Sequence, residues 1–332
     1  MLGVDPAADG HQPEDWIAST TSAVNPVPRP DGEGLTMAQL GDRRVTLREV
    51  LETFHHHVLG PAHVKRYGTQ LGFLLKLLDS SVRLHIQAHP TAAYARKHLG
   101  QPHGKAEGYV ILATRPEIAQ PYIYLGFQRP PDPDAYRQAI RDQDREALLE
   151  PFDKVPVKPG DAFVVPGGTP HAIGEGVMML EIMEPSDLVV RLEVECGGYS
   201  LPEEARFMGQ GVDLAIDLLE FVTMDPQALQ ARCICGPELL NRRGGGRWES
   251  LIDERRTPCF RVLRWTTDAD AVLETDRVSV VFVVSGAARI QTDQGEYAVR
   301  RGSRFVIPQG TPQLKIQTYG PLEFLIAAPP HG

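Results

Sequence analysis

Gly160-Asp-Ala-Phe-Val-Val-Pro-Gly-Gly-Thr-Pro-His171 and Gly302-Ser-Arg-Phe-Val-Ile-Pro-Gln-Gly-Thr-Pro-Gln313 align without a gap. The offset is a constant 142, and seven of the twelve positions are identical. An internal repeat of this kind means that one supersecondary unit occurs twice in the chain. Each copy reads as a turn glycine, a short apolar strand and a second turn built on Pro and Gly. The copies part at the last position, His171 against Gln313. The first can therefore carry a metal ligand there, and the second is expected not to.

Outward from the repeat, the chain reads as many short strands joined by turns, with Gly 31 and Pro 28 spread along its length. Strands are expected at Val82–Ala88, Tyr109–Ala113, Ala162–Val165, Val177–Met183, Val189–Val194, Val278–Val284, Ala287–Thr292 and Phe324–Ala328. Val82–Ala88 alternates apolar Val82, Leu84, Ile86 and Ala88 with Arg83, His85, Gln87 and then His89, so the polar set shares one face. Val278–Val284 is apolar on both faces, which reads the second copy as core rather than cavity. Helical spacing occurs at Leu47–Leu59, Pro133–Glu150 and Leu201–Phe221, and residues 240–247 (Leu-Asn-Arg-Arg-Gly-Gly-Gly-Arg) read as a flexible boundary.

Composition narrows the function classes. The 332 residues carry a net charge of −9 and no basic stripe, which speaks against nucleic acid as a partner. The longest apolar runs fall far short of the roughly 20 residues of a membrane helix, so no membrane partner is expected. Residues 1–12 show neither a basic n-region nor an apolar h-region, and four cysteines make no disulfide framework. A reduced, cytoplasmic location is the expectation.

The pattern of Gly160, Pro166, Gly168 and His171 resembles the second cupin motif. Gln87 and His89, two apart on a strand, offer two more donors to one face, and Glu107 offers a hard oxygen from the next strand. Two imidazoles, a carboxylate and a carboxamide suit zinc or a similar divalent ion. Glu181 shares its strand face with Val177, Met179 and Met183, and an acid there is costly without a partner. Arg191 and Glu193 alternate against Val190, Leu192 and Val194, so Arg191 is either a site residue or an ion-pair partner of Glu193. His55-His56-His57 lies on an expected helix, where consecutive residues diverge, and reads as a solvated helix end. Cys233-Ile-Cys235 lacks zinc-knuckle spacing and reads as structural thiols.

Taken in order, Leu84-His-Ile-Gln-Ala-His-Pro90, Gly104-Lys-Ala-Glu107, Pro166–His171, Glu181-Ile-Met-Glu-Pro-Ser-Asp187 and Arg191 resemble type I mannose-6-phosphate isomerases, the short bacterial branch best. The resemblance implies a mainly β fold of two cupin (jelly-roll β-sandwich) units with a small helical portion. The expected division is a metal-binding cupin unit at 1–200 with a helical insertion near 133–150, a helical connector at 201–232, and a second, metal-free cupin unit at 233–332. It implies one zinc per chain on Gln87, His89, Glu107 and His171. Lys105, Glu181 and Arg191 fall on the polar catalytic positions, and His85, Lys105 and Arg191 on the substrate side. Where the family usually has Ser before Ile-Gln, this chain has His85. The implied activity is interconversion of mannose 6-phosphate and fructose 6-phosphate, with a small sugar phosphate as the partner. The alternatives are an isomerase of another sugar on the same scaffold and a non-catalytic sugar- or metal-binding bicupin. Glu181 is the candidate for proton transfer, while Lys105 and Arg191 would hold phosphate or stabilise negative charge; the sequence permits these roles to be exchanged.

Overall fold

A computed structural model of the chain describes residues 13–23, 32–311 and 313–330. It is mainly β, with several sheets and a few short helices. Two compact units emerge, neither continuous in sequence. Among the described residues, one takes 13–20, 34–76 and 236–330, and the other takes 21–23, 32–33 and 77–235. Residues 34–76, assigned by sequence to the first cupin unit, thus group with the second. No described helix is long and apolar enough to cross a membrane.

The repeat persists in three dimensions. Ala162–Val165 and Arg304–Ile307 are both strands, at the same offset. Each is entered through a glycine at positive φ, Gly160 at 92° and Gly302 at 84°. Beyond each strand the same turn closes: Thr169 N–H donates to the Pro166 carbonyl (3.2 Å), as Thr311 does to Pro308 (3.0 Å).

In the unit of residues 77–235, one sheet runs in the order Leu74–Ser80 (within which the division between units falls), Val177–Met183, Glu107–Thr114, Ala162–Val165, Ile234–Cys235. The other runs Val190–Arg191, Gln87–Ala88, His171–Ile173, Tyr122–Leu125, Val155–Pro156. The second sheet is buried on both faces. Ile86, Ala88, Ala172, Val190 and Leu192 pack with Tyr136, Ile140, Leu148, Ile216 and Leu218 from the helices Pro133–Asp142, Arg145–Leu149 and Val212–Leu218. The opposite face gives Ile123, Leu125 and Ile173 to a core shared with Tyr109, Ile111, Phe163, Val165, Val177 and Met179. That apolar plug leaves one end of the interior to polar side chains.

Several elements differ from the sequence expectation for identifiable reasons. The strand expected over 82–88 is a ladder only at Gln87–Ala88. Upstream, the Glu193 carboxylate takes the Ile86 N–H (2.7 Å) and both terminal nitrogens of Arg83 (2.6 and 2.7 Å). The strand expected over 189–194 is laddered only at Val190–Arg191, because Gln143 donates to the Leu192 carbonyl (3.0 Å) and accepts from the Val194 N–H (2.6 Å). Gln143 is itself the break in the helix expected over 133–150: it sits at φ 54°, after which Asp144 caps a second helix. The helix expected over 201–221 is reduced to a 3₁₀ turn, Glu203–Ala205, and the helix Val212–Leu218. Residues 240–247 are no flexible boundary but part of a hairpin, Glu238–Arg243 paired with Gly246–Ile252. Gly244 and Gly245 both take positive φ, as a two-residue primed turn requires. A Cβ on Gly246 would meet Trp265 Nε1 at 2.0 Å.

In the other unit, a sheet in the order Glu238–Arg243, Gly246–Ile252, Arg261–Thr267, Leu322–Ala328, Ser279–Ser285, Arg304–Ile307 faces a four-stranded sheet of Ala271–Leu273, Leu314–Thr318, Ala287–Thr292 and Gly295–Arg300. Val280, Val281, Phe282 and Val283 are all buried, as the two-faced apolar pattern requires. The interior is not all core, however. A polar-lined cavity of about 220 Å³ opens within this unit.

Candidate metal centre

Gln87 stands in register with His171 on one side and Arg191 on the other. Residues opposite one another in an antiparallel pair share a face, so all three project from the same face, away from Ala88, Ala172 and Val190. His89 follows Gln87 by two residues. From the facing sheet, Glu107 opens the strand Glu107–Thr114, with Tyr109 two residues on and Glu181 in register across from Tyr109. The sheet registers therefore bring Gln87, His89, Glu107, His171, Glu181 and Arg191 to one interior.

The centre itself is tight. His89 Nε2 lies 3.0 Å from Glu107 Oε1, and His171 Nε2 lies 3.3 Å from Glu107 Oε2, with all three residues buried. Both rings are anchored through Nδ1, which donates to the Leu188 carbonyl (2.7 Å) in His89 and to the Thr169 carbonyl (2.9 Å) in His171. A neutral ring fixed in this way turns a lone pair, not a proton, toward the carboxylate. Neither His89 Nε2 nor Glu107 Oε1 has a hydrogen-bond donor. Two buried acceptors facing each other repel unless a cation joins them. Among the described residues, this trio is the group of His, Cys, Asp or Glu whose ligand atoms all lie within 4.8 Å. The donor set fits a divalent ion.

The electrostatics agree. Burial, more than Glu107 opposes it, pushes the His89 imidazole down to about 3, so it is neutral and available as a ligand at physiological pH. Burial alone would raise the Glu107 carboxyl, but the positive charge beside it, that of Lys105 included, holds it well below its ordinary value. Lys105, also buried, puts Nζ 3.1 Å from Glu107 Oε1, near enough for charge attraction though not aligned as a hydrogen bond. Gln87 Nε2 lies 3.3 Å from His171 Nε2. Sequence reasoning missed Tyr109 as a site residue. Its hydroxyl donates to Glu107 Oε2 (2.5 Å), and burial followed by the Glu107 charge raises its pKa far above the ordinary value. The signal was its spacing, i+2 from Glu107 on a strand.

The segment after His89 is clamped by two close backbone approaches. A Cβ on Gly104 would sit 2.5–2.7 Å from the backbone of Pro90–Ala92, and one on Gly167 would sit 2.8 Å from Pro90 and Thr91. Lys105 N–H donates to the Pro90 carbonyl (3.0 Å) and Gly168 N–H to the His89 carbonyl (2.7 Å). Arg191 Nη1 donates to the Ala205 carbonyl (2.9 Å), and the ion-pair partner of Glu193 is Arg83 rather than Arg191. His85 is half-buried, its Nε2 3.2 Å from the Val194 carbonyl, and burial lowers its pKa. Of the remaining candidates, His55–His57 form the last turn of the helix Leu47–Val58, and Cys233 and Cys235 are buried without a disulfide between them.

Fold and site together define a cupin-type protein with a buried His–Glu–His centre. Residues 256–324 match the family model described as "Mannose-6-phosphate isomerase, cupin domain". The chain is 30% identical over 244 residues to a mannose-6-phosphate isomerase of Streptococcus mutans, covering 71% of this chain and 67% of that one. It therefore belongs to the mannose-6-phosphate isomerase family. The fold is shared with the mannose 6-phosphate isomerase of Bacillus subtilis (TM-score 0.69, 21% identity, 87% of this chain and 84% of that one). It is also shared with a zinc-bound mannose 6-phosphate isomerase (TM-score 0.64, 16% identity, 88% of each chain).

Proposed function

We propose that this protein interconverts mannose 6-phosphate and fructose 6-phosphate in the cytoplasm, with one zinc ion held by His89, Glu107, His171 and Gln87. The observation that carries the reading is the pair of anchored imidazoles whose lone pairs converge on a buried carboxylate, in a chain of this family. A divalent ion there supplies Lewis acidity to the substrate's carbonyl and hydroxyl oxygens.

The remaining chemistry falls to side chains. Aldose–ketose isomerisation takes a proton from C2 of the aldose and returns one to C1, through an enediol with no net redox change. Glu181, buried on the same face as Glu107 and Tyr109, is positioned to carry that proton. Lys105 holds an ammonium against Glu107 and so stabilises negative charge developing on the substrate oxygens. Arg191, across from Gln87, binds the phosphate or shares that stabilisation. Tyr109 fixes the Glu107 carboxylate by donating to Oε2, and His85 lines the substrate side.

A coupled assay on mannose 6-phosphate tests this, run on protein stripped by a chelator and again after zinc is restored. Turnover that vanishes with the chelator and returns with zinc is expected. Retained zinc without turnover would point to a binding protein instead. A second reading, isomerisation of a different sugar, is favoured by His85, whose ring is tied to a backbone carbonyl where the family usually has a small hydroxyl. Turnover on other sugars or sugar phosphates but not on mannose 6-phosphate would establish it.

A further inference from the structure

The cavity in the second-repeat unit stands at the position that the metal centre holds in the first. Two matched registers place it. Gln87 pairs with His171; in the second copy Leu273 pairs with Leu314, so Glu274 stands opposite Gln313, and Gln313 Nε2 donates to Glu274 Oε1 (2.6 Å). Glu107 pairs with Val165; Ser279 pairs with Ile307, which is Val165 plus the repeat offset of 142. Counting from those anchors, the Gln87, His89, Glu107, His171 quartet becomes Glu274, Asp276, Ser279 and Gln313, and Lys105, two residues before Glu107, becomes Arg277. Glu274, Asp276, Arg277 and Ser279 all line the cavity.

The chemistry has been inverted. Both imidazoles are gone, and the two carboxylates are occupied: Arg277 donates from Nε and Nη2 to the two oxygens of Asp276 (2.9 and 2.6 Å), and Gln313 donates to Glu274. Arg243 and Arg261 add two more guanidiniums to the lining. Two buried groups of the lining, the Trp248 indole N–H and the Thr275 hydroxyl, have no hydrogen-bond partner. An unpaired buried donor is costly, and a ligand that accepts from it recovers that cost.

We propose that this cavity is a metal-free binding site for a small phosphate-bearing metabolite, a second ligand site made from the duplicated cupin unit. Arginine forks, a hydroxyl and an indole N–H match a phosphate's several acceptor oxygens better than the two of a carboxylate. About 220 Å³ admits a phosphate ester of a few carbons. The proposal is independent of the isomerase reading.

The test titrates the full-length protein with inorganic phosphate and with glycerol 3-phosphate, read by tryptophan emission, since Trp248 lines the cavity, and by calorimetry. Acetate is the carboxylate arm. Saturation below about 10 mM phosphate is expected, with acetate weaker. Arg261→Gln and Thr275→Val should each weaken binding about tenfold while turnover on mannose 6-phosphate is unchanged. Arg191→Ala, in the other unit, should leave this titration as it is. Should Arg261→Gln fail to fold, Thr275→Val, which removes only the hydroxyl, decides alone. Absence of saturable binding, binding unaltered in Thr275→Val, or binding abolished by Arg191→Ala overturns the proposal. Tighter binding of acetate than of phosphate overturns the phosphate assignment.

Discussion

His171 is the residue on which the two halves of the repeat diverge, and its replacement has a defined consequence. With Nδ1 tied to Thr169 and Nε2 beside Glu107, the ring is a fixed donor whose loss removes one corner of the centre. His171→Ala should lose the bound metal. At metal concentrations a hundredfold above Kd it should also lose about 2.7 kcal/mol of apparent stability. Elemental analysis and thermal unfolding with and without zinc check both. Arg191 separates binding of charge from binding of metal. Arg191→Ala should retain the metal and the melting temperature while kcat/KM falls by about two orders of magnitude, or roughly 3 kcal/mol. Unchanged turnover would remove it from the site. Gln87 and His89 stand out in the sequence because their spacing is local, i and i+2 on one strand, and His171 because it ends a turn motif; the structure adds that His89, Glu107 and His171 lie together. Tyr109 does not stand out, since a tyrosine inside Gly-Tyr-Val-Ile-Leu reads as core, and only the folded geometry shows its hydroxyl donating to Glu107.

Short elements make this centre, and backbone contacts rather than side-chain volume hold them. Gly104 is the clearest case, because the atoms a Cβ would strike all belong to the main chain of Pro90–Ala92, immediately after His89. Gly104→Ala should cost about 1–3 kcal/mol and displace His89, weakening zinc binding about ten- to a hundredfold. Gly236→Ala, where nothing lies within 4 Å, is the control and should be near neutral in both measurements. The same elements mark where sequence pattern fails. Alternation located the segments around Ile86 and Leu192, but their lengths were set by Glu193 and Gln143, side chains from distant positions that take backbone groups out of the ladder. The Arg-Arg-Gly-Gly-Gly run misled for the opposite reason: Glu238–Arg243 is exposed throughout, so its polar composition hides an edge strand.

Taken whole, the molecule should lose stability on mild acidification. His63, nearly buried in the helix Pro61–Tyr67 with Nε2 2.7 Å from the Gln70 carbonyl, has its pKa lowered from 6.5, chiefly by burial. A depressed histidine binds its proton more readily when unfolded, so its contribution is complete above about pH 6.5 and declines as pH falls below that value. His85 and, without metal, His89 act in the same direction. Asp276, held at about 2 by its hydrogen bonds to Arg277, contributes stability that is fully present above its ordinary value of 3.8 and is lost only as pH falls from there, so the two windows do not overlap. Melting temperatures between pH 7.5 and 5.5 should therefore fall, and should fall less in His63→Gln. An identical slope in that variant would assign the effect elsewhere.

The discontinuity of the second-repeat unit has an effect during synthesis. Its residues 34–76 leave the ribosome before residues 77–235, and the larger part of that unit begins only at residue 236. At roughly 5–20 residues per second, that early segment waits on the order of ten seconds for its partners. Leu51, Leu59, Leu71 and Phe73, all buried in the finished protein, are exposed for that interval. The unit that carries the candidate metal centre, by contrast, has nearly all of its chain in one uninterrupted run and can close first. Nascent chains arrested far enough beyond residue 235 for that unit to clear the ribosome should already bind zinc while residues 34–76 remain open to protease and to chaperones, making that stretch the place where a slow translation step does the most harm.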